Sequence, residues 1–575
     1  MARKKLPIGI DDFWKIRTKD YYFVDKSLMI REFLEMGDQV ALVARPRRFG
    51  KTLNMTMLRE FLDITRDSGR LFEGLAIMDT QYAACINSRP VIYFTFKNCR
   101  ARTAAELVET VRREICGEYI RYEAAVRALE KEESYEAKAL LETAKAVMKP
   151  MAPPIQVETA IDNLLRIVKR YYTRQRQSPA GGCTAPGARQ QAASSRTEAD
   201  TVRPVLLIDE YDQPIMSSYE YGYHEELGTF FTNLYGMAMK GNDALDQALL
   251  TGVQRVVKES IFSQFNNPKV YTVFSRQYGS SFGLTEAETR ELLEAYGLEL
   301  NEQVKKKYDG YRMGGVEVYN PWSILNYADN GFLDNYWVNT SANFLIRKGL
   351  KEATRDFWKD FDVLVTGEPV QVWLTLDTSY AERDSDASLW GLFVNAGYLT
   401  VTERVDADSA VVRIPNEEVM SEFRNLVSEI SGINNQNLNR MFDCLMKKDM
   451  KRFFALYEDL VISCTSYMDA KENAYHMLFL GMCMTLGGAY KVTSNLEAGY
   501  GRSDITLEAK LAGYPSIIVE FKQGKDLESL KSQALDQILD NRYYTGLSGQ
   551  VLCVGMAHDG KRCSMVYEIV DVDRI

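Results

Sequence analysis

Between an uninterrupted apolar run, Gln39–Ala44, and a stretch that places Leu53, Met57, Leu58, Phe61 and Leu62 on one helical stripe lies the octapeptide "RPRRFGKT", Arg45–Thr52. A continuous apolar run of strand length that breaks into a loop and resumes with helical period specifies a strand–loop–helix unit. The end of that loop, Gly50-Lys51-Thr52, completes the phosphate-binding pattern G-x-x-x-x-G-K-[ST]. Where the pattern begins with glycine, this chain has Arg45, followed by Pro46, Arg47, Arg48 and Phe49. A phosphate loop needs backbone N–H groups at a helix N-terminus, a lysine that reaches the terminal phosphates and a hydroxyl that holds Mg²⁺. Gly50, Lys51 and Thr52 stand where those roles require them. Pro46 can fix part of the turn through its locked φ, and the three arginines add positive charge beside a polyphosphate. Taken alone, the octapeptide also reads as a basic turn capped by a helix.

Further apolar runs at Pro90–Phe96, Pro204–Asp209 and Gln247–Gly252 read as strands, and Ala104–Val126 and Ile155–Arg174 carry helical periodicity. Strands alternating with helices imply an α/β fold with a parallel sheet wrapped by helices. In "VLLIDEYD" four apolar residues end in Asp209-Glu210. At a strand tip, such an Asp supports Mg²⁺ and the adjacent Glu orients and deprotonates the attacking water. Thr251, at the end of the next strand, is placed to sense the γ-phosphate or its water. Arg255 is a nucleotide contact or a partner on a helix. A nucleotide with a γ-phosphate and Mg²⁺ are the expected ligands of this segment.

The chain has 575 residues, a length that suggests three or four units. Its net charge of -9 argues against wholesale coating of nucleic acid and leaves a local basic groove open. Nine cysteines without a C-x-x-C pair read as reduced residues of a cytoplasmic protein. The start, "MARKKLPIGIDDFW", lacks the apolar core of a signal peptide. Ala474–Tyr490 is uncharged but short for a membrane span, and reads as a buried helix. Ser178–Asp200, rich in Gly, Ala, Ser, Pro and Gln, reads as a disordered insertion in a surface loop. The expected division is a P-loop ATPase domain over 1–283, a mostly helical middle domain over 284–435 with a strand near Gly397–Val405, and a separate α/β unit over 436–575.

In that last unit, the strand "SIIVEFK" places Glu520 and Lys522 on one face and Phe521 on the other. Sixteen residues before Glu520, Asp504 opens another strand. Two carboxylates and a lysine at neighbouring strand ends suit metal-dependent phosphodiester hydrolysis, with oxygen ligands for Mg²⁺ and an ammonium that stabilises charge or helps to activate water. The same spacing also arises in a solvated edge strand. Glu472, on a preceding helix, is a further candidate metal ligand, and Gln533 and Gln537 share a helix face that can reach the site or a nucleic acid. His476, four residues after Glu472, reads as a packed helix residue.

The ordered segments "YYFVDKS", "RPRRFGKTLNMTML", "LIDEYDQPI", "LTGVQRV", "FGLTEAE", "YDGYRMG", "YNPWSIL", "ENAYH", "SNLEAGYGRSDITL", "IIVEFK" and "QALDQI" together resemble bacterial AAA-ATPase-like proteins with a C-terminal PD-(D/E)xK nuclease domain. The resemblance implies that arginines before FGK are an ordinary variant of the loop. It implies ATP held through Lys51 and Thr52, Mg²⁺ supported by Asp209, and Glu210 as hydrolytic base. It also places Asp504, Glu520 and Lys522 on the nuclease positions of a restriction-endonuclease-like fold, with Ser503-Asp504 in place of the usual Pro-Asp pair. The expected activity is an ATPase coupled to a Mg²⁺-dependent nuclease acting on DNA. The other reading is an ATP-driven switch whose nuclease fold binds nucleic acid without cutting it. No membrane partner is expected, and homo-oligomerisation stays open.

Overall fold

The apolar runs of the N-terminal half are strands, and they pair in parallel. In the computed structural model, β1 (Val40–Ala44), β2 (Val91–Thr95), β3 (Val205–Asp209), β4 (Ala248–Gly252) and β5 (Lys269–Tyr271) form one sheet in the order β2-β3-β4-β1-β5. Every residue of β1, β3 and β4 is buried, as a parallel sheet covered on both faces requires. Helix α1 (Lys51–Leu62) follows β1 directly. Helices Ala104–Arg121, Tyr135–Val147 and Ala160–Gln177 connect β2 to β3, and His224–Met239 connects β3 to β4. Register sets Thr95 beside Asp209 and Val43 beside Thr251, so the loop after β1 and the tips of β2, β3 and β4 share one sheet edge. That carboxyl-end edge is where open α/β sheets bind ligands.

The described residues are 3–177, 201–256, 268–337, 343–378, 386–430, 435–463, 479, 482–483, 486 and 489–572. Ser178–Asp200, Glu472, His476 and most of Ala474–Tyr490 lie outside them. The chain divides into two compact units, Met1–Trp337 with Trp373–Val401, and Val338–Val372 with Thr402–Ile575.

The first unit also holds a three-stranded antiparallel sheet of Leu284–Thr285, Val316–Tyr319 and Tyr311–Met313. Helix Glu286–Ala295 starts there on a capping box between Thr285 and Glu288. Within "NEQVKKKYDGYR" the helix covers Glu302–Tyr308, and Tyr311–Met313 that follows is strand. Three residues in which only Arg312 faces out are too few for periodicity to announce.

The second unit is built on a mixed sheet of β6 (Tyr490–Ala498), β7 (Gly501–Ala509), β8 (Ser516–Gln523), β9 (Gly549–Asp559) and β10 (Arg562–Val572), in that order. Only β8 and β9 are parallel, joined by the crossover helix α2 (Leu527–Asp540). Gly555 on β9 sits under α2, where a Cβ would stand 2.3 Å from the Lys531 carbonyl oxygen and 2.6 Å from the Leu535 nitrogen. Glycine is thus what lets this helix lie so close to the sheet. Among the described residues, no helix is long and apolar enough to cross a membrane.

Candidate functional site

In the first unit, Gly50 caps α1 with φ 83, a left-handed conformation that glycine adopts without a Cβ penalty. Lys51 is buried, and its Nζ donates to the carbonyls of Arg45 at 3.2 Å and Pro46 at 3.1 Å while standing 3.7 Å from Glu210 Oε1. The lysine is therefore folded onto its own loop, within the space between loop and strand tip. Thr52 Oγ1 donates to Asp209 Oδ2 at 2.7 Å, and Thr251 Oγ1 donates to Asp209 Oδ1 at 2.7 Å. Burial, with Glu210 adjoining, raises the Asp209 pKa above the usual carboxylate range. A buried acid with two hydroxyl donors and a neighbouring acid is a fitting place for a divalent cation held by Thr52 and Asp209. Glu210 leaves the strand tip with φ 54, a left-handed conformation that few non-glycine residues adopt.

The three loop arginines are not equivalent. Arg45 is fully buried, and its guanidinium donates to the carbonyls of Ala44 at 2.8 Å, Tyr271 at 3.0 Å and Tyr278 at 3.3 Å. It joins the end of β1 to the end of β5, and burial lowers its pKa to about 10. Arg48 is exposed, has φ 66 and stacks over Trp322 at 4.1 Å. Arg47 is half-buried, and its Nε has no hydrogen-bond partner among the described residues. Phe49 packs edge-on against Tyr311, and a Cβ on Gly397 would stand 3.0 Å from Pro46. Beside Gly50, an apolar cavity of about 80 Å³ is lined by Tyr22, Phe23, Val24, Leu53, Asn54 and Leu325 among others.

Asp212, which the sequence reading passed over, is fully buried and accepts from the Val253 N–H at 3.0 Å and the Gln254 N–H at 2.7 Å. It pins the turn that follows Thr251, and burial followed by Glu210 pushes its pKa up to about 6. A Cβ on Gly252 would stand 2.7 Å from Asp212 Oδ1, so the clamp needs glycine there. The "DEYD" sequence did contain the signal, as a second acid just past the strand tip. The backbone of Arg255 is strand rather than helix, paired in parallel with Asp377.

In the second unit, antiparallel register pairs Ile505 with Val519 and so brings Asp504 against Glu520 on the next rung. Glu520 Oε2 accepts from the Asp504 N–H at 3.2 Å, and Asp504 Oδ2 accepts from the Phe521 N–H at 2.8 Å. Lys522 Nζ donates to Glu520 Oε1 at 3.3 Å. Burial, then Asp504, pushes the Glu520 carboxyl up to about 7, and burial raises Asp504 as well. Two acids that resist ionisation side by side, with one ammonium bonded to Glu520, form a donor set that a divalent cation would complete.

Gln537 Nε2 reaches this pair directly, donating to Glu520 Oε1 at 2.7 Å and to the Tyr543 hydroxyl at 3.0 Å. Gln533, one turn earlier, is exposed and donates instead to Ser529 Oγ at 3.0 Å. The two glutamines are therefore separated in role, and α2 delivers only the later one. Tyr543 and Asn541, whose side chains bond at 3.3 Å, are supporting residues that no spacing rule singled out. His558 lies buried behind Phe521, bonded to the Tyr457 hydroxyl at 2.8 Å, and burial lowers its pKa to about 3, so it is a neutral core residue.

A parallel sheet with a lysine-bearing loop at its carboxyl edge, together with a mixed sheet carrying an Asp–Glu–Lys cluster, defines an ATPase-like module and a nuclease-like module. Comparison with protein families agrees: residues 7–262 match the family described as predicted AAA-ATPase, and residues 470–568 match the PD-(D/E)XK nuclease superfamily. The chain has the architecture of an AAA-ATPase-like protein with a C-terminal PD-(D/E)XK nuclease superfamily domain. It is similar to an uncharacterized protein in the vnfD 5'region of Azotobacter chroococcum mcd 1, at 26% identity over 94% of this chain and 93% of that one.

Proposed function

We propose that the protein binds and hydrolyses ATP in its first unit and cleaves nucleic acid, DNA in the first instance, with Mg²⁺ in its second. The observation that carries the reading is the Asp504–Glu520–Lys522 cluster, whose two acids face each other with raised pKa values and whose orientation is fixed by Gln537. When bound there, Mg²⁺ would lower the barrier by polarising the phosphoryl group and making a bound water nucleophilic. Asp504 and Glu520 are its proposed ligands, together with Glu472 from the residues not described. Lys522 supplies positive charge next to Glu520, where negative charge builds on the phosphodiester.

In the first unit, Thr52 and Asp209 are the proposed ligands of the nucleotide's Mg²⁺, and Lys51 leaves the Arg45 and Pro46 carbonyls to meet phosphate. Glu210 is the base for water, Thr251 senses the γ-phosphate, and the cavity beside Gly50 takes the base. Arg45 and Pro46 shape the turn, with Phe49 fastening it, and Arg47 is the arginine left to meet phosphate. The proposal keeps the division 1–283, 284–435 and 436–575, and a cytoplasmic setting. Incubation with DNA or RNA and Mg²⁺, with and without ATP, tests it through product formation. Binding without product in every condition would favour the ATP-driven switch instead.

A further inference from the structure

The hairpin between β6 and β7 turns in two residues, Gly499 and Tyr500, because Ala498 pairs with Gly501. Gly499 has φ 58, the left-handed first position that tight primed turns assign to glycine. A Cβ there would stand 2.0 Å from the Asn541 carbonyl oxygen and 2.5 Å from that of Arg542. The Tyr500 N–H donates to the same Asn541 carbonyl at 2.8 Å. The hairpin tip is thus docked, backbone to backbone, on the turn that ends α2.

The Tyr500 side chain, by contrast, is 79% exposed. A lone exposed aromatic is ordinary, but this one stands on a backbone held rigidly by a second element. Arg542, directly across that contact, is exposed with φ 51, and its guanidinium has no partner among the described residues. Arg502, on the same strand face as Asp504, adds a second exposed cation, paired with Glu497 at 2.9 Å. The same turn continues into Asn541 and Tyr543, whose hydroxyl meets Gln537, which in turn meets Glu520. Tyr500 stands four residues from Asp504, about 13 Å along the chain at strand rise. The backbones that carry the Tyr500 ring and the Arg542 guanidinium are therefore joined to the carboxylate pair by one short network.

We propose that Tyr500 and Arg542 form a single-strand subsite of the nuclease-like unit, in which one unpaired nucleobase stacks on the Tyr500 ring and Arg542 holds the adjoining phosphate. The inference rests on the nuclease reading above and sharpens its substrate class to single-stranded or unpaired nucleic acid. Stacking on an exposed ring requires a base free of its own stack, which a continuous duplex does not offer. The docked turn supplies the preorganisation, since the ring's backbone needs no further ordering when the strand arrives.

The test is fluorescence anisotropy of the full-length chain, with Ca²⁺ replacing Mg²⁺, on a labelled single-stranded oligonucleotide, the same oligonucleotide carrying abasic sites, and a blunt duplex. Wild type should prefer the single strand. Tyr500→Ala should lose roughly 5- to 100-fold on it and little on the duplex, whereas Tyr500→Phe should bind as wild type. Abasic sites should weaken wild type and leave Tyr500→Ala unchanged. Arg542→Gln should lower the slope of log affinity against log salt by about 0.7, a slope that Tyr500→Ala keeps. Equal binding of the single strand by wild type and Tyr500→Ala, or equal loss on duplex, would overturn the subsite. If wild type still cuts nucleic acid and Lys522→Ala does not, that failure leaves the nuclease reading intact. Absence of both binding and cleavage would remove the reading and the subsite together.

Discussion

Lys51 is folded back onto the loop that carries it. Its ammonium is buried on the carbonyls of Arg45 and Pro46, and Glu210 is the nearby acid that balances its charge. Lys51→Ala should abolish ATP binding, whereas Glu210→Gln should keep ATP and stop turnover; binding titrations set beside phosphate release check both, and equal loss of binding would count against the assigned roles. The arginines divide similarly. Arg45→Ala would strand three carbonyls and should destabilise the first unit by about 3 kcal/mol, read by denaturant unfolding. Arg47→Gln should instead leave stability unchanged and weaken ATP binding several-fold. Glu520 gives a pH signature. Its folded pKa, at about 7, lies above the ordinary 4.5, so the metal-free protein is penalised as the pH rises past 4.5 and bears the full penalty above about 7. The penalty grows as pH climbs from about 4.5 to 7 and amounts to about 3 kcal/mol at most. Melting of the metal-free protein should show Glu520→Gln more stable than wild type at pH 8 and level with it near pH 4. Unchanged melting at pH 8 would mean that the acid pair is not strained.

At the scale of elements, what brings chemistry together is register and close approach. Antiparallel register sets Asp504 against Glu520, and Gly555 admits α2 close enough for Gln537 to reach the same carboxylate. Gly555→Val should push α2 off β9, costing about 2–4 kcal/mol in the second unit and abolishing cleavage while ATP turnover persists. Intact cleavage in that variant would show that the helix does not position the site. The strands that carry both clusters were legible in the sequence because apolar runs, period two and a strand-to-helix break are local properties. The partition of the loop arginines was not, because Tyr271, Tyr278, Trp322 and Gly397, which decide it, are hundreds of residues away in sequence. Nor was the difference between Gln533 and Gln537, which share a helical face but differ by one turn in where they fall against the sheet. Asp212 was visible as a residue and invisible as a clamp, since its partners are backbone N–H groups on another strand's exit.

For the whole molecule, the Lys51–Asp209–Glu210 cluster and the Asp504–Glu520–Lys522 cluster lie on separate sheets, each within one compact unit. Asp504→Ala should therefore remove Mg²⁺-dependent cleavage and leave ATP turnover nearly unchanged. The reciprocal change, Lys51→Ala, tests coupling: if ATP drives or licenses cleavage, the loss of nucleotide binding should reduce product formation by an intact nuclease cluster. The most direct measurement of the central claim is the initial rate of phosphodiester cleavage by full-length wild type and Lys522→Ala, on single-stranded and duplex DNA, with Mg²⁺ or with EDTA. A working nuclease cluster should give cleavage by wild type in Mg²⁺ only, and a rate lower by roughly 10²- to 10⁴-fold for Lys522→Ala. Cleavage by Lys522→Ala at the wild-type rate, or by wild type in EDTA, would contradict it.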